Sequence, residues 1–226
     1  TAPVAQDDTG TVNEDATLTV SDGDDATSVD TATFSSSDSY STSYQGNSSG
    51  IIFNDDGTKM YVPDATSGQI YQYTLSTAFD VSTASYSNNY SSGYALQSMS
   101  FNSDGTKMFL LTSNQIREYS LSTGFDVTSS SVNYTRAYSL TNQESSMTGL
   151  AFNNDGTKMF TVGSSGDRVY EYALSTAFNI STSSISYTDN LSISSQETNP
   201  TGIRFNHDGT KMYISGSTGD VIDEYT

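Results

Sequence analysis

A twelve-residue phrase occurs four times in this chain of 226 residues. Each copy contains Phe-Asn-x-Asp-Gly-Thr-Lys-Met followed by Tyr or Phe, and successive copies lie 48, 51 and 53 residues apart. A period of this length with strand-like content predicts a propeller, in which each repeat forms one blade of antiparallel β-strands. The copies begin at Gly50, Ser98, Gly149 and Gly202.

Each repeat divides into four predicted strands. The first is a short apolar run, and Asn-x-Asp-Gly-Thr then forms a hairpin in which Gly57 and its equivalents adopt a positive φ. The second strand begins at the Lys-Met pair. The third strand alternates, so that Tyr71 and Tyr73 share one face. A connector that contains Phe79 leads to the fourth strand, which carries Tyr86. No segment has helical periodicity, so we predict an all-β fold.

The two ends of the repeat region complement each other. The chain stops after Ile222–Tyr225, which matches a third strand, while Ser28–Phe34 matches a fourth strand. Their pairing predicts a β-propeller of four four-stranded blades, with the last blade completed by the N-terminal strand and fewer strand edges left unpaired. The alternative is half of an eight-bladed homodimeric ring, in which two chains exchange this strand. We favour the monomer over the homodimer.

Two resemblances extend this interpretation. The repeats of residues 29–226 resemble seven-bladed lactonase-like and YVTN propellers, whose hairpins carry similar Asp-Gly turns. This likeness implies the architecture only, because those families include enzymes and binding modules. Residues 1–28 differ in composition and carry acidic clusters. They resemble the start of the cadherin-like and VCBS-type repeats of bacterial surface adhesins. The second resemblance implies an acidic linker in an extracellular or cell-surface protein of a calcium-dependent kind.

Composition excludes several classes of partner and site. The formal net charge is −18, so nucleic acid and anionic membrane surfaces would be repelled. No apolar run is long enough to span a membrane, so membrane insertion is not expected. The chain has no cysteine, which excludes disulfides and thiol catalysis. The one histidine, His207, occupies a variable turn position and is interpreted as an exposed turn residue. Without a recognisable nucleophile or metal constellation, we expect no enzymatic activity.

Calcium is the only cofactor that the sequence suggests. The carboxylates of Asp22, Asp24 and Asp25 supply the oxygen ligands that calcium prefers. The Asn-x-Asp-Gly turns also present oxygen atoms, but they lack the closing Glu of an EF-hand loop. We interpret those turns as hairpins capped by their own side chains.

The loops that differ between repeats form the candidate binding surface. In a propeller, the loops before each first strand and those between the second and third strands surround one mouth of the channel. Tyrosine beside amides and carboxylates suits a sugar, because it combines an apolar platform with partners for hydroxyl groups. The candidate ligand-binding residues are Tyr44, Gln45, Asn47, Asp64, Tyr94, Gln97, Asn114, Gln143, Glu144, Asp167, Gln196, Glu197 and Asp220.

We therefore interpret the chain as a non-catalytic module of a large bacterial surface adhesin that recognises a glycan or surface polymer. One alternative is a structural spacer or assembly module, in an adhesin stalk or a phage tail. Another is a lactonase-like enzyme or a glycoside hydrolase with a pair of carboxylates.

Removal of residues 1–36 tests the predicted strand pairing. We expect a clearly lower melting temperature, since burial of one Phe contributes about 1.5–3 kcal/mol and each ladder hydrogen bond about 0.5–1.5 kcal/mol. Thermal denaturation followed by circular dichroism provides the measurement. A truncated chain that melts cooperatively at an unchanged temperature would refute the pairing.

Overall fold

The computed structural model describes residues 39–42, 47–219 and 221–226. Within these residues the chain forms fifteen β-strands and one 3₁₀ turn, Val81–Thr83, and every strand pairing is antiparallel. The strands form four sheets, which are the blades of a four-bladed β-propeller. The predicted all-β propeller architecture is therefore confirmed.

Each blade is a meander of strands in chain order. Blade 1 contains β1 (Ile52–Phe53), β2 (Lys59–Pro63), β3 (Gln69–Leu75) and β4 (Ala84–Ser91). Blade 2 contains β5 (Ser98–Phe101), β6 (Lys107–Leu111), β7 (Gln115–Leu121) and β8 (Val132–Ser139). Blade 3 contains β9 (Met147–Phe152), β10 (Lys158–Gly163), β11 (Arg168–Leu174) and β12 (Ile185–Ser192). The described strands of blade 4 are β13 (Pro200–Phe205), β14 (Met212–Gly216) and β15 (Ile222–Tyr225).

The predicted fourth strand of blade 4 lies outside the described residues, as does the acidic segment 1–28. The first described residues include Tyr40, whose ring meets Tyr73 of blade 1 edge-on at a centroid distance of 5.3 Å. The last tyrosine of a fourth strand makes the same contact with the next blade at two other places, Tyr90–Tyr119 and Tyr138–Tyr172. Tyr40 therefore contacts blade 1 in the way that the end of a preceding blade would.

The hairpin turns depend on glycine for two reasons. Gly57 has a φ of +68°, as predicted, and so do Gly105 and Gly156. In addition, a Cβ atom on Gly57 would lie 2.4 Å from the ring of Phe79, which packs directly over the turn. Phe79 itself has a φ of +59°, a conformation that non-glycine residues seldom adopt and that the sequence did not predict. The connector of each of the first three blades is thus fixed onto its own hairpin.

Aromatic rings join each blade to the next. An aromatic residue in the second strand packs on the phenylalanine that ends the first strand of the following blade. The contacts are Tyr61–Phe101 at 4.7 Å, Phe109–Phe152 at 4.6 Å and Phe160–Phe205 at 4.5 Å between centroids. Each contact belongs to a separate buried apolar cluster between two blades. Because each large buried side chain contributes about 1.5–3 kcal/mol, these junctions hold the four sheets together.

Polar bonds to the connectors add to two of these junctions. The Lys59 ammonium and the Tyr61 hydroxyl both donate to the carbonyl of Phe125 in the next blade, at 2.9 and 2.6 Å. Lys107 repeats the first bond by donating to the carbonyl of Phe178 at 2.7 Å. Burial raises the pKa of Tyr61, so its hydroxyl remains a donor. These bonds fix the orientation of one blade against the next.

Tyr61→Phe removes one of these bonds without changing the shape of the side chain. We expect the free energy of unfolding to fall by about 0.5–1.5 kcal/mol, measured by urea denaturation. The matched control is Tyr134→Phe on the exposed side of β8, where the hydroxyl makes no hydrogen bond within the described part of the chain. Equal losses in the two variants would show that the bond to Phe125 does not stabilise the junction.

Candidate functional site

The first strands of the four blades line a central channel. We call the mouth that carries the loops before these strands the upper mouth, and the mouth that carries the Asn-x-Asp-Gly turns the lower mouth. A cavity of about 610 Å³ opens at the upper mouth and one of about 840 Å³ at the lower mouth. Residues from all four blades line each cavity. The channel is therefore the concave surface to which this fold directs side chains from every repeat.

Arg204 lies between the two cavities and lines both of them. It stands on β13 at a position that the other three repeats fill with Ile52, Ser100 and Ala151. Its Nη1 atom donates to the carbonyl of Leu150 at 3.0 Å and to its own neighbour Ile203 at 2.9 Å. These bonds hold the guanidinium against blade 3, while Nη2 and Nε have no hydrogen-bond partner among the described residues.

Within residues 39–42, 47–219 and 221–226, no carboxylate lies within ion-pair distance of Arg204. The acidic groups that share a cavity with it are the turn carboxylates Asp155 and Asp208. Neighbouring groups partly desolvate the guanidinium and so lower the pKa of Arg204, although the residue as a whole remains exposed. An arginine nevertheless stays charged at neutral pH. A positive charge held by two carbonyls therefore lines the channel of a protein whose formal net charge is −18.

Hydroxyl groups dominate the upper cavity above Arg204. Its rim also carries the amides of Asn47 and Gln97, two of the predicted ligand-binding residues, and the phenol ring of Tyr213. The aliphatic hydroxyls come from all four blades and belong to Ser48, Ser49, Ser98, Thr148, Thr201 and Ser215. Groups that both donate and accept hydrogen bonds suit a small polyhydroxylated ligand.

The lower cavity combines apolar first-strand residues with the polar turns of blades 3 and 4. His207 lines it, and the carbonyl of His207 accepts a hydrogen bond from the side chain of Asn154 in the neighbouring turn. Lys158 also lines this cavity, but its ammonium pairs with Glu171 at 2.9 Å. His207 is therefore exposed, as predicted, but its turn borders the channel.

The turn carboxylates of the lower cavity are poor proton acceptors. Asp208 accepts from the hydroxyl of Thr210 at 2.6 Å and from its backbone N–H at 2.9 Å, and these bonds, the hydroxyl first, lower the pKa of Asp208. Asp155 makes the same pair of bonds with Thr157 and has a lowered pKa for the same reason. These bonds match the predicted interpretation of the turns as hairpins capped by their own side chains.

Two of the predicted ligand-binding carboxylates are buried beneath the upper loops. Glu144 accepts from the backbone N–H groups of Ser145, Ser146 and Gly166 at 2.7, 3.0 and 2.8 Å. Glu197 is fully buried and accepts from the N–H of Asn199 at 2.6 Å. Burial alone would raise the pKa of Glu197, but the bonds from backbone N–H groups outweigh it and lower the pKa. Both side chains organise loops rather than face the channel mouth.

The other predicted residues are dispersed over the upper loops. Asp64 is buried and accepts from the N–H groups of Thr66 and Ser67. Tyr94 is exposed, and the guanidinium of Arg117 stacks on its ring at 3.6 Å. Asn114 and Gln196 are exposed, whereas Gln143 and Asp167 are half-buried. The remaining predicted residues lie outside the described ones: Tyr44, Gln45, Asp220, Asp22, Asp24 and Asp25.

The described residues contain no cluster of three or more His, Asp or Glu side chains arranged to hold a metal ion. None of their helices has the length and apolar character that crossing a bilayer requires.

Comparison with known proteins identifies the fold. No protein-family model and no curated protein matches the chain. Among solved structures, a Bacteroides fragilis protein provisionally named a 6-phosphogluconolactonase superposes with a TM-score of 0.55 at 12% identity, covering 78% of this chain and 49% of that one. A protein of unknown function from Desulfotomaculum acetoxidans gives 0.55 at 14% identity, with 80% and 55% covered. The periplasmic gluconolactonase of Pseudomonas aeruginosa gives 0.51 at 12% identity, with 78% and 48% covered. The chain thus spans about half the length of these structures.

These comparisons correct two expectations. The chain was expected to be a non-catalytic glycan-binding module and not an enzyme. Both interpretations are overturned, because the solved structures with this arrangement of blades include proteins named for lactone hydrolysis. The predicted resemblance to lactonase-type propellers agrees with the comparisons. Sequence identities of 12–14% establish the fold alone. The adhesin-type linker stays a prediction.

Sequence reasoning missed Arg204 as a site residue. The signal was present, because an arginine interrupts a first strand whose other three copies have an aliphatic, small or apolar residue at that position. The difference is easily overlooked, because the first strands also form the blade skeleton and the variable loops differ far more between repeats.

The turn aspartates predict how stability depends on pH. Asp56, Asp104, Asp155 and Asp208 all have lowered pKa values in the folded chain, mainly through bonds from a threonine hydroxyl. Their contribution is therefore complete above the unfolded value of about 3.9 and is lost as the pH falls through the lower folded values. We expect the free energy of unfolding to decrease below about pH 4, measured by urea denaturation. Asp104→Asn should reduce the slope, and an unchanged slope would contradict the assignment.

Proposed function

We propose that the chain hydrolyses the lactone of a sugar acid in its channel, with Arg204 binding the lactone carbonyl. The observation that carries the proposal is the position of Arg204, whose guanidinium is anchored by two carbonyls and which lines both cavities. The names of two solved structures with the same fold, a gluconolactonase and a provisional 6-phosphogluconolactonase, support the same class of substrate.

The reaction needs a donor at the place where negative charge develops. Water adds to the carbonyl carbon of the lactone, and the carbonyl oxygen gains negative charge in the tetrahedral intermediate. The ring C–O bond then breaks, the ring oxygen takes up a proton, and a hydroxy acid is the product. A fixed guanidinium stabilises the intermediate more than the substrate, because its charge is greater there. Nη2 and Nε of Arg204 are the donors that remain for this role.

His207 is the residue that would accept the proton from water. It lines the lower cavity together with Arg204. The other titratable groups there suit the role less well, because Asp155 and Asp208 have lowered pKa values and Lys158 is paired with Glu171. A neutral imidazole is a common general base near neutral pH. In this proposal the sugar hydroxyls occupy the hydroxyl-rich upper cavity and water approaches from the lower one.

We also propose a location outside the cytoplasm. The chain lacks cysteine, its strong acidity suits a medium whose ions screen charge, and one solved structure with this fold is named as periplasmic.

Hydrolysis of D-glucono-1,5-lactone, followed by acid release at constant pH, tests the proposal. The wild-type chain should exceed the spontaneous rate. Arg204→Gln should lower kcat/KM by about 10²–10³-fold, the loss typical of removing one donor to a developing oxyanion. The matched control is Arg168→Gln, an exposed arginine on β11 outside the channel, which should retain full activity.

His207→Gln separates the two roles. It should lower kcat and leave KM nearly unchanged, because the imidazole acts on water and not on the bound sugar. A wild-type rate equal to the spontaneous rate with both the plain and the 6-phosphorylated lactone would overturn the proposed function. Equal activity of wild type and Arg204→Gln would overturn the role of Arg204.

A further inference from the structure

One of the four blade junctions is not formed within the described chain. We call the side of blade 4 that carries Tyr213, Ile222 and Glu224 its trailing face. The side of blade 1 that carries Ile51, Phe53 and Phe79 is called its leading face. No aromatic contact, ion pair, hydrogen bond or buried cluster of the described residues joins these two faces. They line the upper and lower cavities instead of packing together.

The residues of the trailing face are buried at the equivalent positions of every other blade. Ile222 is 63% exposed, whereas its three equivalents are at most 5% exposed. The equivalents of Ile222 are Ile70, Ile116 and Val169. Ile222 lines the upper cavity instead of packing against another blade. The trailing face therefore has the residues of a blade junction, but no described residue packs against it.

The leading face of blade 1 is uncovered in the same way. Ile51 is 48% exposed, while its equivalents Met99, Leu150 and Ile203 are at most 1% exposed. Phe79 is 58% exposed, whereas the equivalent connector residues Phe125 and Phe178 are mostly buried. The carbonyl of Phe79 receives no bond from Lys211, whose equivalents Lys59 and Lys107 bond to the next connector. Instead, Lys211 pairs with Glu224 in its own blade at 2.9 Å.

We infer that a second copy of this chain covers both faces. The two faces have complementary shapes, because equivalent faces already pack together at three places in the chain. These places are the junctions of blade 1 with 2, blade 2 with 3 and blade 3 with 4. A second copy offers a leading face to blade 4 and a trailing face to blade 1. Two copies then form two identical junctions and leave no face open, which closes a ring of eight blades. The anchoring of Arg204 is unaffected, since its bonds lie within blades 3 and 4 of one chain.

The dimer junctions repeat contacts that are known from the internal ones. Tyr213 of one copy packs on Phe53 of the other, as Tyr61 packs on Phe101. Lys211 exchanges its exposed bond to Glu224 for the Phe79 carbonyl of the second copy. Because each copy carries a net charge of −18, the association should strengthen with salt.

The mass of the untagged chain in solution is the first test. Light scattering coupled to size exclusion should give twice the chain mass of 24.2 kDa, with a larger dimer fraction at higher salt. A folded particle of 24.2 kDa at every concentration and salt tested would overturn the inference.

Cross-linking between different chains is the second test, and it does not depend on a destabilising change. The chain has no cysteine, so Tyr213→Cys and Phe53→Cys can be made as separate single variants. A short bismaleimide should join them into a covalent dimer in the mixed sample and in neither variant alone. The double variant distinguishes the geometries, since a product of monomer mass with an internal cross-link would contradict an exchange between copies.

A charged substitution gives the third test with a matched control. Ile222→Asp should convert the dimer to a folded monomer, because it buries a carboxylate at each junction. Leu191→Asp, at an apolar residue of β12 that is 47% exposed and outside both faces, should leave the dimer intact. Circular dichroism verifies that both variants remain folded. Dimers of equal stability in the two variants would place the interface elsewhere.

Discussion

The contact between neighbouring blades is the interaction on which the whole structure depends. A single blade cannot bury its own apolar faces, and neighbouring blades must stack to cover them. The aromatic residue of each second strand supplies that surface by packing on the phenylalanine of the next first strand. Lys59, Tyr61 and Lys107 also donate hydrogen bonds to the connector of the next blade. The arrangement of the channel, and hence of any group inside it, follows from these contacts.

The channel concentrates an unusual charge in an acidic protein. Acidic side chains dominate the surface, and the basic ones mostly pair with carboxylates or carbonyls of the blade skeleton. Arg204 differs because it lines the channel, where its bonds go to backbone carbonyls and no described carboxylate forms an ion pair with it. This contrast between surface and channel is the electrostatic reason for proposing the channel, and not the loops, as the place where a substrate binds.

Most of the fold could be predicted from the sequence, because the same pattern of strands and turns recurs in four repeats. The hairpin at Gly57, the alternation of Tyr71 and Tyr73 and the all-β class followed from local spacing alone. The positive φ of Phe79 did not, since it arises from packing of the ring over a glycine twenty-two residues earlier in the chain. The predicted pairing of residues 29–34 with β15 concerns residues outside the described ones.

The site was harder to predict than the fold. Glu144 and Glu197 occupy variable loops, which suggested a ligand, but their carboxylates accept bonds from loop N–H groups. Each carboxylate reaches a second loop about twenty residues later in the chain. Gly163 leaves room for Glu144 there, and Gly216 leaves room for Glu197. Arg204 was overlooked for the opposite reason, because it lies in a strand where only apolar residues were expected.

The packing of Phe79, Phe125 and Phe178 over the hairpins of their own blades has a consequence for how such proteins change in evolution. Each of these contacts begins and ends within one repeat, whereas the pairs Tyr61–Phe101, Phe109–Phe152 and Phe160–Phe205 join one repeat to the next. Gain or loss of a complete repeat therefore preserves every contact within a repeat and recreates the contact between neighbouring repeats. This architecture thus tolerates a gene duplication or deletion in units of about fifty codons.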